Sequence, residues 1–502
     1  MGKAVPILGG LSVLLALLLS CMNLIHGNLN QDEGWYLYAA KMVFEGQRPY
    51  ADFAFTQGPV LPKVYGALFP VIEKSGVVGG RLITMMFGLS AAGFAGLLAF
   101  RISEKRGVAW IAVFLLIACN VYQSYFTTVV KTYGLTVFFL MAGFYLLSFR
   151  NRMALIFGGA LLSLAAGTRL SAGIVLPITG IWLIFQKERK LDWLWFGIGG
   201  GVMLLAVYAP LFFQSPEQAH FGLLGYHTGR DPGGIGTILT LKVGFISRFV
   251  QAYLIFTLLT LAVLVFQPLE KKLEPTAVLL WSCGIGISLV HGLAAFPYDD
   301  YQAIAYPILA AAAVLTVLPR IEPRWVVPSL SFLLLASIAT AFSSPINQEW
   351  FVRGRDRIWW KFKEKSDLEL LRDAAEIVKR HSPEESVLLT QDTYLAIEAG
   401  RSVPHGMEMG PFSYYPDMPT EQAEKLHLLN RDLLLHLLET SSAPVAAFSG
   451  YGLSIESPAI AEVGEAERKA FFNLVEMRYQ LLDEFPDFGQ AHTTLKLYEA
   501  AP

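Results

Sequence analysis

The sequence predicts a mainly α-helical, polytopic membrane protein that ends in a small α/β domain. Three observations carry this prediction. Of the 502 residues, 54% are hydrophobic and 16% charged, and the mean hydropathy is +0.46. That is too apolar for a soluble chain of this length. Apolar runs recur between short polar loops from residue 4 to about residue 342. Beyond that point the pattern changes to amphipathic helices alternating with short apolar strands. The natural division is therefore a membrane domain over 1–342, including an external loop at 26–76, and an α/β domain over 343–502.

A helix needs about 20 mostly apolar residues to cross a bilayer. That rule predicts about eleven spans, at roughly 4–25, 77–100, 108–122, 133–149, 154–167, 170–186, 193–213, 243–266, 276–295, 301–318 and 325–342. In the first span Leu18-Leu19-Ser20-Cys21 resembles a lipoprotein cleavage box, but the run is long enough to cross and reads as a retained anchor. Cys21, Cys119 and Cys283 lie in or beside apolar runs, with no paired spacing, and read as small packing residues. The glycine groups Gly79-Gly80 and Gly199-Gly200-Gly201 sit in or beside spans and suit close helix packing.

Charge sets the expected orientation. Arg101, Lys105, Arg106, Arg150, Arg152, Lys187, Arg189, Lys190, Lys271, Lys272, Arg320 and Arg324 fall in alternate loops, which the positive-inside rule makes cytoplasmic. The loop at 26–76, the loop at 214–242 and the turn Phe296–Gln302 then lie outside, as does the C-terminal domain. One segment opposes this. Arg353, Arg355, Arg357, Lys361, Lys363 and Lys365 follow the last span among Trp350, Trp359 and Trp360, and read as an interfacial helix on the outer surface. A net charge of -2 and the lack of a basic motif give no indication of nucleic-acid binding.

In the tail, Asp367–Arg380 has the period of an amphipathic helix. Val387–Thr390 reads as a buried strand, Tyr394–Ala399 as a helix, and Glu421–Thr440 as one long helix. Pro444–Phe448 reads as a strand, Glu465–Leu482 as a helix and Thr493–Leu497 as a last strand. This alternation predicts a mostly parallel sheet.

The residues suited to chemistry concentrate in the first loop. Asp32 and Glu33 directly follow the first span. A carboxylate at a membrane boundary can act as a general base toward a hydroxyl, or hold a metal bound to phosphate. The same two acids also suit the solvated opening of a short helix, Gly34–Phe44. Asp52 is a second acid in the loop and equally a turn residue. Cations able to meet a phosphate are Lys63, Arg81, Lys131, Arg169, Arg230 and Arg248. Snorkelling to lipid head groups accounts for Lys63 and Lys131 equally well, whereas Arg81 and Arg169 sit nearer apolar runs. His291, Tyr298 and Tyr301 lie at the outer ends of two late spans, where an aromatic belt is also expected. The aromatic loop Gly410–Pro416 suits either sugar stacking or packing. His220 and His227 flank a glycine-rich loop, but no metal-ligand motif such as HExxH is present, and no metal ligands are assigned.

The stretch Asp32-Glu33-Gly34-Trp35-Tyr36-Leu37-Tyr38-Ala39-Ala40-Lys41, followed by Glu45-Gly46-Gln47-Arg48-Pro49-Tyr50-Ala51-Asp52-Phe53, resembles the first external loop of type C glycosyltransferases. More narrowly it is similar to the branch containing protein O-mannosyltransferases and lipid A aminoarabinose transferases. The resemblance implies a polyprenyl-phosphate sugar donor, an extracytoplasmic acceptor (lipid, glycan or protein) and inversion at the sugar carbon. It implies Asp32 as the base, with Glu33 orienting the site. Members of this branch often carry Lys-Pro-Pro at the loop's end; this chain has Gln57-Gly58-Pro59, with Lys63 following. Asp52, Lys63, Arg81, Arg169, Tyr298 and Tyr301 are then the expected substrate-binding residues, and a bacterial-type inner membrane is the expected location. A divalent metal is compatible with the acids but not required by them, so the cofactor stays open. Two other classes fit the composition: a transporter or flippase for a lipid-linked substrate, and a non-catalytic membrane sensor. The first predicts repeated, broken helices in two halves, which the sequence does not show.

Overall fold

A computed structural model describes the chain except for residues 1–2, 187–189, 229–233, 267–272, 343–364, 451–462, 490–491 and 502. Arg230, and all of the basic, tryptophan-rich segment except Lys365, lie outside the described residues. The chain opens with α1 (Ala4–His26), α2 (Gln31–Phe44), α3 (Val60–Ala67) and α4 (Phe69–Ile102). Two compact units form: Met1–Leu24 with Ile83–Ala209 and Gly233–Gly354, and Ile25–Leu82 with Pro210–Pro232 and Arg355–Pro502. The second unit thus combines the acidic first loop with the C-terminal sheet.

Among the described residues, six helices are long and apolar enough to cross a membrane: α1, α4, Asp192–Gln214, Ile235–Ala252, Pro275–Leu293 and Pro323–Ala341. Five shorter apolar helices, Arg106–Ala118, Thr132–Leu147, Arg152–Thr168, Leu170–Ile184 and Tyr306–Arg320, fall on the remaining apolar runs. The molecule is therefore a helical, multi-pass membrane protein. The helices of the first unit hold together by close contact as well as by apolar area. A Cβ on Gly199 would lie 1.9 Å from the Ile156 carbonyl oxygen, so only glycine allows this approach. The run expected at 243–266 is two helices, Ile235–Ala252 and Leu254–Phe266, broken at Tyr253. Tyr253 is pinned there: its hydroxyl donates to Gln123 Oε1 at 2.9 Å, and its ring stacks on Tyr306 at 3.7 Å.

The sheet of the second unit has the order β1-β2-β4-β3, with β1 Leu388–Thr390, β2 Val445–Phe448, β3 Tyr479–Phe488 and β4 Thr493–Ala500. β1 and β2 are buried along their whole length and run parallel, with Leu388 opposite Val445. β4 is antiparallel to both neighbours, pairing Ala446 with Tyr498 and Gln480 with Glu499. The sheet is thus mixed rather than mostly parallel. β3 and β4 are joined by a short connection, which permits only antiparallel pairing. The expected helix to Leu482 ends at Arg478, and Leu481 belongs to β3. The expected helix Glu421–Thr440 is two, Thr420–Lys425 and Arg431–Thr440, separated where His427 takes φ 58°. Asn430 then opens the second by accepting from the Leu433 N–H at 2.9 Å. The helix Asp367–His381 buries Leu368, Leu371, Ala374, Ala375 and Val378 on the face its sequence period predicts.

Candidate active site

α2 begins earlier than Gly34, because Asn30 caps it. Asn30 Oδ1 accepts from the Asp32 N–H at 3.0 Å, and Glu33 Oε2 accepts from the Asn30 N–H at 3.0 Å, completing a capping box. The two adjacent acids then part company. Glu33 and Arg81 of α4 are both fully buried, and they meet through Arg81 Nε to Oε1 at 2.7 Å and Nη2 to Oε2 at 2.6 Å. Arg81 also donates to the carbonyls of Gly27 and Asn28, each at 3.0 Å. Glu33 is therefore not a solvated acid, and these four bonds aim the Arg81 fork at protein groups. Asp32 stays half-buried, with Oδ1 accepting from Trp35 Nε1 at 3.3 Å. A fork with five fixed donors suits such bidentate gripping. It fixes the first turn of α2 and leaves its neighbour Asp32 half-buried.

The rest of the second unit braces this turn. Asp367 Oδ2 accepts from the Leu29 N–H at 2.7 Å, and the Tyr38 hydroxyl accepts from the Val403 N–H at 2.9 Å. Lys41 Nζ donates to Ser402 Oγ at 2.9 Å. A Cβ on Gly34 would lie 2.5 Å from the Tyr394 N and 2.6 Å from Thr393 Oγ1, so α2 touches the helix Thr393–Ala399 backbone to backbone. Sequence reasoning missed Asp367 and Glu398 altogether, because each acts on backbone more than 300 residues away, by 338 and 321 positions.

Asp52 pairs with Arg48, with Nη2 to Oδ1 at 2.9 Å, and the Arg48 hydrogen bond holds the Asp52 carboxyl below its usual range. Lys63 on α3 is exposed. Nearby, His427 Nε2–H donates to the Ala51 carbonyl at 2.9 Å. Burial pushes this imidazole down, and the adjacent His405 adds to the shift. His405 is itself held above its ordinary value by its hydrogen bond with Glu408 at 2.9 Å. His227 Nε2–H donates to the Thr56 carbonyl at 2.9 Å, so the short helix Tyr226–Thr228 is held against the first loop. Among the described residues no three His, Cys, Asp or Glu side chains converge to hold a metal ion.

A second cluster forms inside the first unit. Lys131 does not snorkel: it is buried and bonds Asp300 Oδ2 at 2.6 Å. Arg169 is also buried; it donates to Thr132 Oγ1 at 3.1 Å and lies over the rings of Tyr133 at 4.9 Å and Tyr301 at 4.4 Å. The Tyr298 ring, 41% exposed, meets Tyr301 edge-on at 5.4 Å. His291 Nε2 shares a hydrogen bond with Ser171 Oγ at 2.8 Å and stands 5.1 Å from the Tyr301 ring. Arg169, Tyr298 and Tyr301 thus come together, and Arg81 joins Glu33 and Asp32 in the other unit. Arg248 is buried in the first unit, and His220 is exposed in the second.

Compared with protein-family models and with curated proteins, the sequence has no significant match. Solved structures do match. The crystal structure of ArnT from Cupriavidus metallidurans bound to undecaprenyl phosphate is 14% identical, covers 97% of both chains and superposes with a TM-score of 0.63. Its apo state gives 15% identity, the same coverage and a TM-score of 0.60. The Archaeoglobus fulgidus oligosaccharyltransferase, tethered to an acceptor peptide, is 13% identical over 98% of this chain and 74% of that one, with a TM-score of 0.50. At such identities the likeness is one of fold: this chain shares the fold of those structures.

Proposed function

We propose that this chain is a membrane glycosyltransferase that moves a sugar from a polyprenyl-phosphate donor to an extracytoplasmic acceptor with inversion. The observation that supports it best is the asymmetry of the acid pair. Glu33 is wholly buried and gripped by Arg81, while its neighbour Asp32 is left half-exposed on the same rigid turn. A base must be held firmly and yet be reachable, and this arrangement provides both.

Asp32 takes the proton of the acceptor hydroxyl as that oxygen bonds to the anomeric carbon. The bond from that carbon to the lipid phosphate breaks on the opposite face, and the polyprenyl phosphate leaves with the electron pair. A phosphate is a good leaving group, so cations rather than a general acid suffice for it. Lys63, Arg169, Tyr298, Tyr301 and Asp52 are proposed as substrate-binding residues by their chemistry, cations for the phosphate and aromatic or carboxylate groups for the sugar. Arg81 serves this site through Glu33. The ArnT structure whose fold this chain shares holds undecaprenyl phosphate, which supports a donor of that class here. The proposed setting is the cytoplasmic membrane, with Asp32 and the C-terminal domain outside.

Cells lacking the protein are rescued with wild type or with Asp32→Asn, and their envelope lipids and glycans compared by mass spectrometry. Wild type restores one missing sugar and Asp32→Asn does not, although both reach the membrane in equal amounts. Equal rescue by the two would overturn the assignment and favour a transporter or a sensor.

A further inference from the structure

We infer that Asp367 and Glu398, two carboxylates of the C-terminal domain, are positioning residues that set the place of Asp32 through backbone N–H groups. This rests on Asp32 being the base. Two helices bring the acid site together, α2 with Asp32 and Glu33, and α4 with Arg81. Each is gripped at the start of its relevant stretch by one of these carboxylates.

At α2, the residue before the Asn30 cap is Leu29, and its N–H donates to Asp367 Oδ2 at 2.7 Å. Asp367 is only 3% exposed, so the bond is shielded from water. At α4, the helix kinks at Gly76, which takes φ 62° and ψ -143°. Only glycine adopts this conformation freely. The helix restarts at Val77, whose N–H donates to Glu398 Oε2 at 2.8 Å. The carboxylate lies directly over the kink: a Cβ on Gly76 would be 1.9 Å from Glu398 Oε2. Arg372 Nε steadies the other oxygen of Glu398 at 3.3 Å. Arg81 follows one turn later and closes on Glu33.

A carboxylate at the start of a helical stretch satisfies donors that have no partner within the helix and favours the positive end of its dipole. Here both carboxylates come from far along the chain. The C-terminal domain therefore fixes the approach of α2 to α4, and through the Glu33–Arg81 pair it fixes Asp32. A displacement of about 1 Å at a reacting group lowers turnover on the order of a hundredfold. The two carboxylates touch no reacting atom; their effect is on geometry.

Full-length Asp367→Ala, Glu398→Ala, Asp367→Asn and Glu398→Gln are prepared in lipid nanodiscs beside wild type and Asp32→Asn. Trp35 Nε1 donates to Asp32 Oδ1 at 3.3 Å, so a fluorine on the Trp35 ring reports on the place of Asp32. The fluorine resonance, assigned with Trp35→Phe, is read with hydrogen exchange of the peptides holding Leu29 and Val77. The alanine variants shift the resonance, speed exchange at those peptides, and restore the missing sugar to cells about tenfold less well than wild type. Their affinity for undecaprenyl phosphate changes less than about twofold if phosphate contact lies elsewhere. The Asn and Gln variants keep an acceptor oxygen without its charge and fall between, since charge-assisted bonds are about twice as strong. They carry the test where an alanine variant fails to assemble. Wild-type resonance and exchange in the variants that do assemble would overturn the inference, whatever Asp32→Asn does. Full rescue by Asp32→Asn would instead sink the assignment of the base, leaving the fluorine result to stand on its own.

Discussion

Replacing Arg81 with methionine tests the geometry of the acid site without touching Asp32. The side chain is fully buried, and so is its partner Glu33. Removing one member of a buried pair leaves an uncompensated charge, at about 3–5 kcal/mol. Arg81 also serves the Gly27 and Asn28 carbonyls, and a buried acceptor deprived of its donor costs about 1–3 kcal/mol. Arg81→Met is therefore expected at or above the top of the first range, about 5 kcal/mol. For a unit of this size each kcal/mol moves the midpoint by about 2–4 °C, which puts the fall at about 10 °C or more. Glu33→Gln, which leaves Arg81 charged, costs about 3 kcal/mol. The double variant Glu33→Gln/Arg81→Met removes both charges. It costs less than the two single changes added together, with a coupling of about 3 kcal/mol. Thermal unfolding of the purified full-length protein, followed by tryptophan emission, measures all four proteins. Single variants that each shift the midpoint by less than about 2 °C, or costs that simply add, would show that the pair does not hold the turn together.

Two further outcomes follow from the same unit. Gly34→Ala drives a methyl group into the Tyr394 backbone, 2.5 Å from its nitrogen; α2 must move, lowering stability by about 1–3 kcal/mol and reducing sugar transfer more than Ala39→Gly, and a variant with unchanged midpoint and transfer contradicts the contact. Glu408 holds His405 above its ordinary value, so the stability from this pair is fully present below the imidazole's ordinary value near 6.5 and is lost as pH rises through the higher folded value. The gap in unfolding midpoint between wild type and His405→Gln is thus wider at pH 6 than at pH 8, though small because the imidazole is largely exposed; a gap that widens with pH contradicts the pairing.

The multi-pass helical class was legible in the chain itself, because the cost of placing polar backbone and charges in lipid is met by long apolar helices. The same local logic marked Asp32 and Glu33: acids directly after a span are conspicuous. It also gave α2 and the helix Asp367–His381 to within a few residues, since caps and periodicity are properties of neighbouring positions. It could not divide the two acids into one buried and one half-exposed, because both have the same type and the same address. Nor could it separate Lys131, buried against Asp300 across 169 positions, from a lysine reaching for head groups.

β3 was misread for a related reason. Its first residues, Tyr479–Leu482, read as the end of a helix, but pairing with β4 supplies the backbone bonds that make Tyr479–Phe488 a strand. The sequence alone determined that this protein lies in a membrane, where most of its apolar helices run, and which pair of acids opens the first loop. Only the tertiary structure decided that Arg81 takes Glu33 and leaves Asp32 half-exposed, and that Asp367 and Glu398 hold the two helices that meet there. A local pattern records what each residue prefers, whereas its partner depends on where distant parts of the chain come to rest.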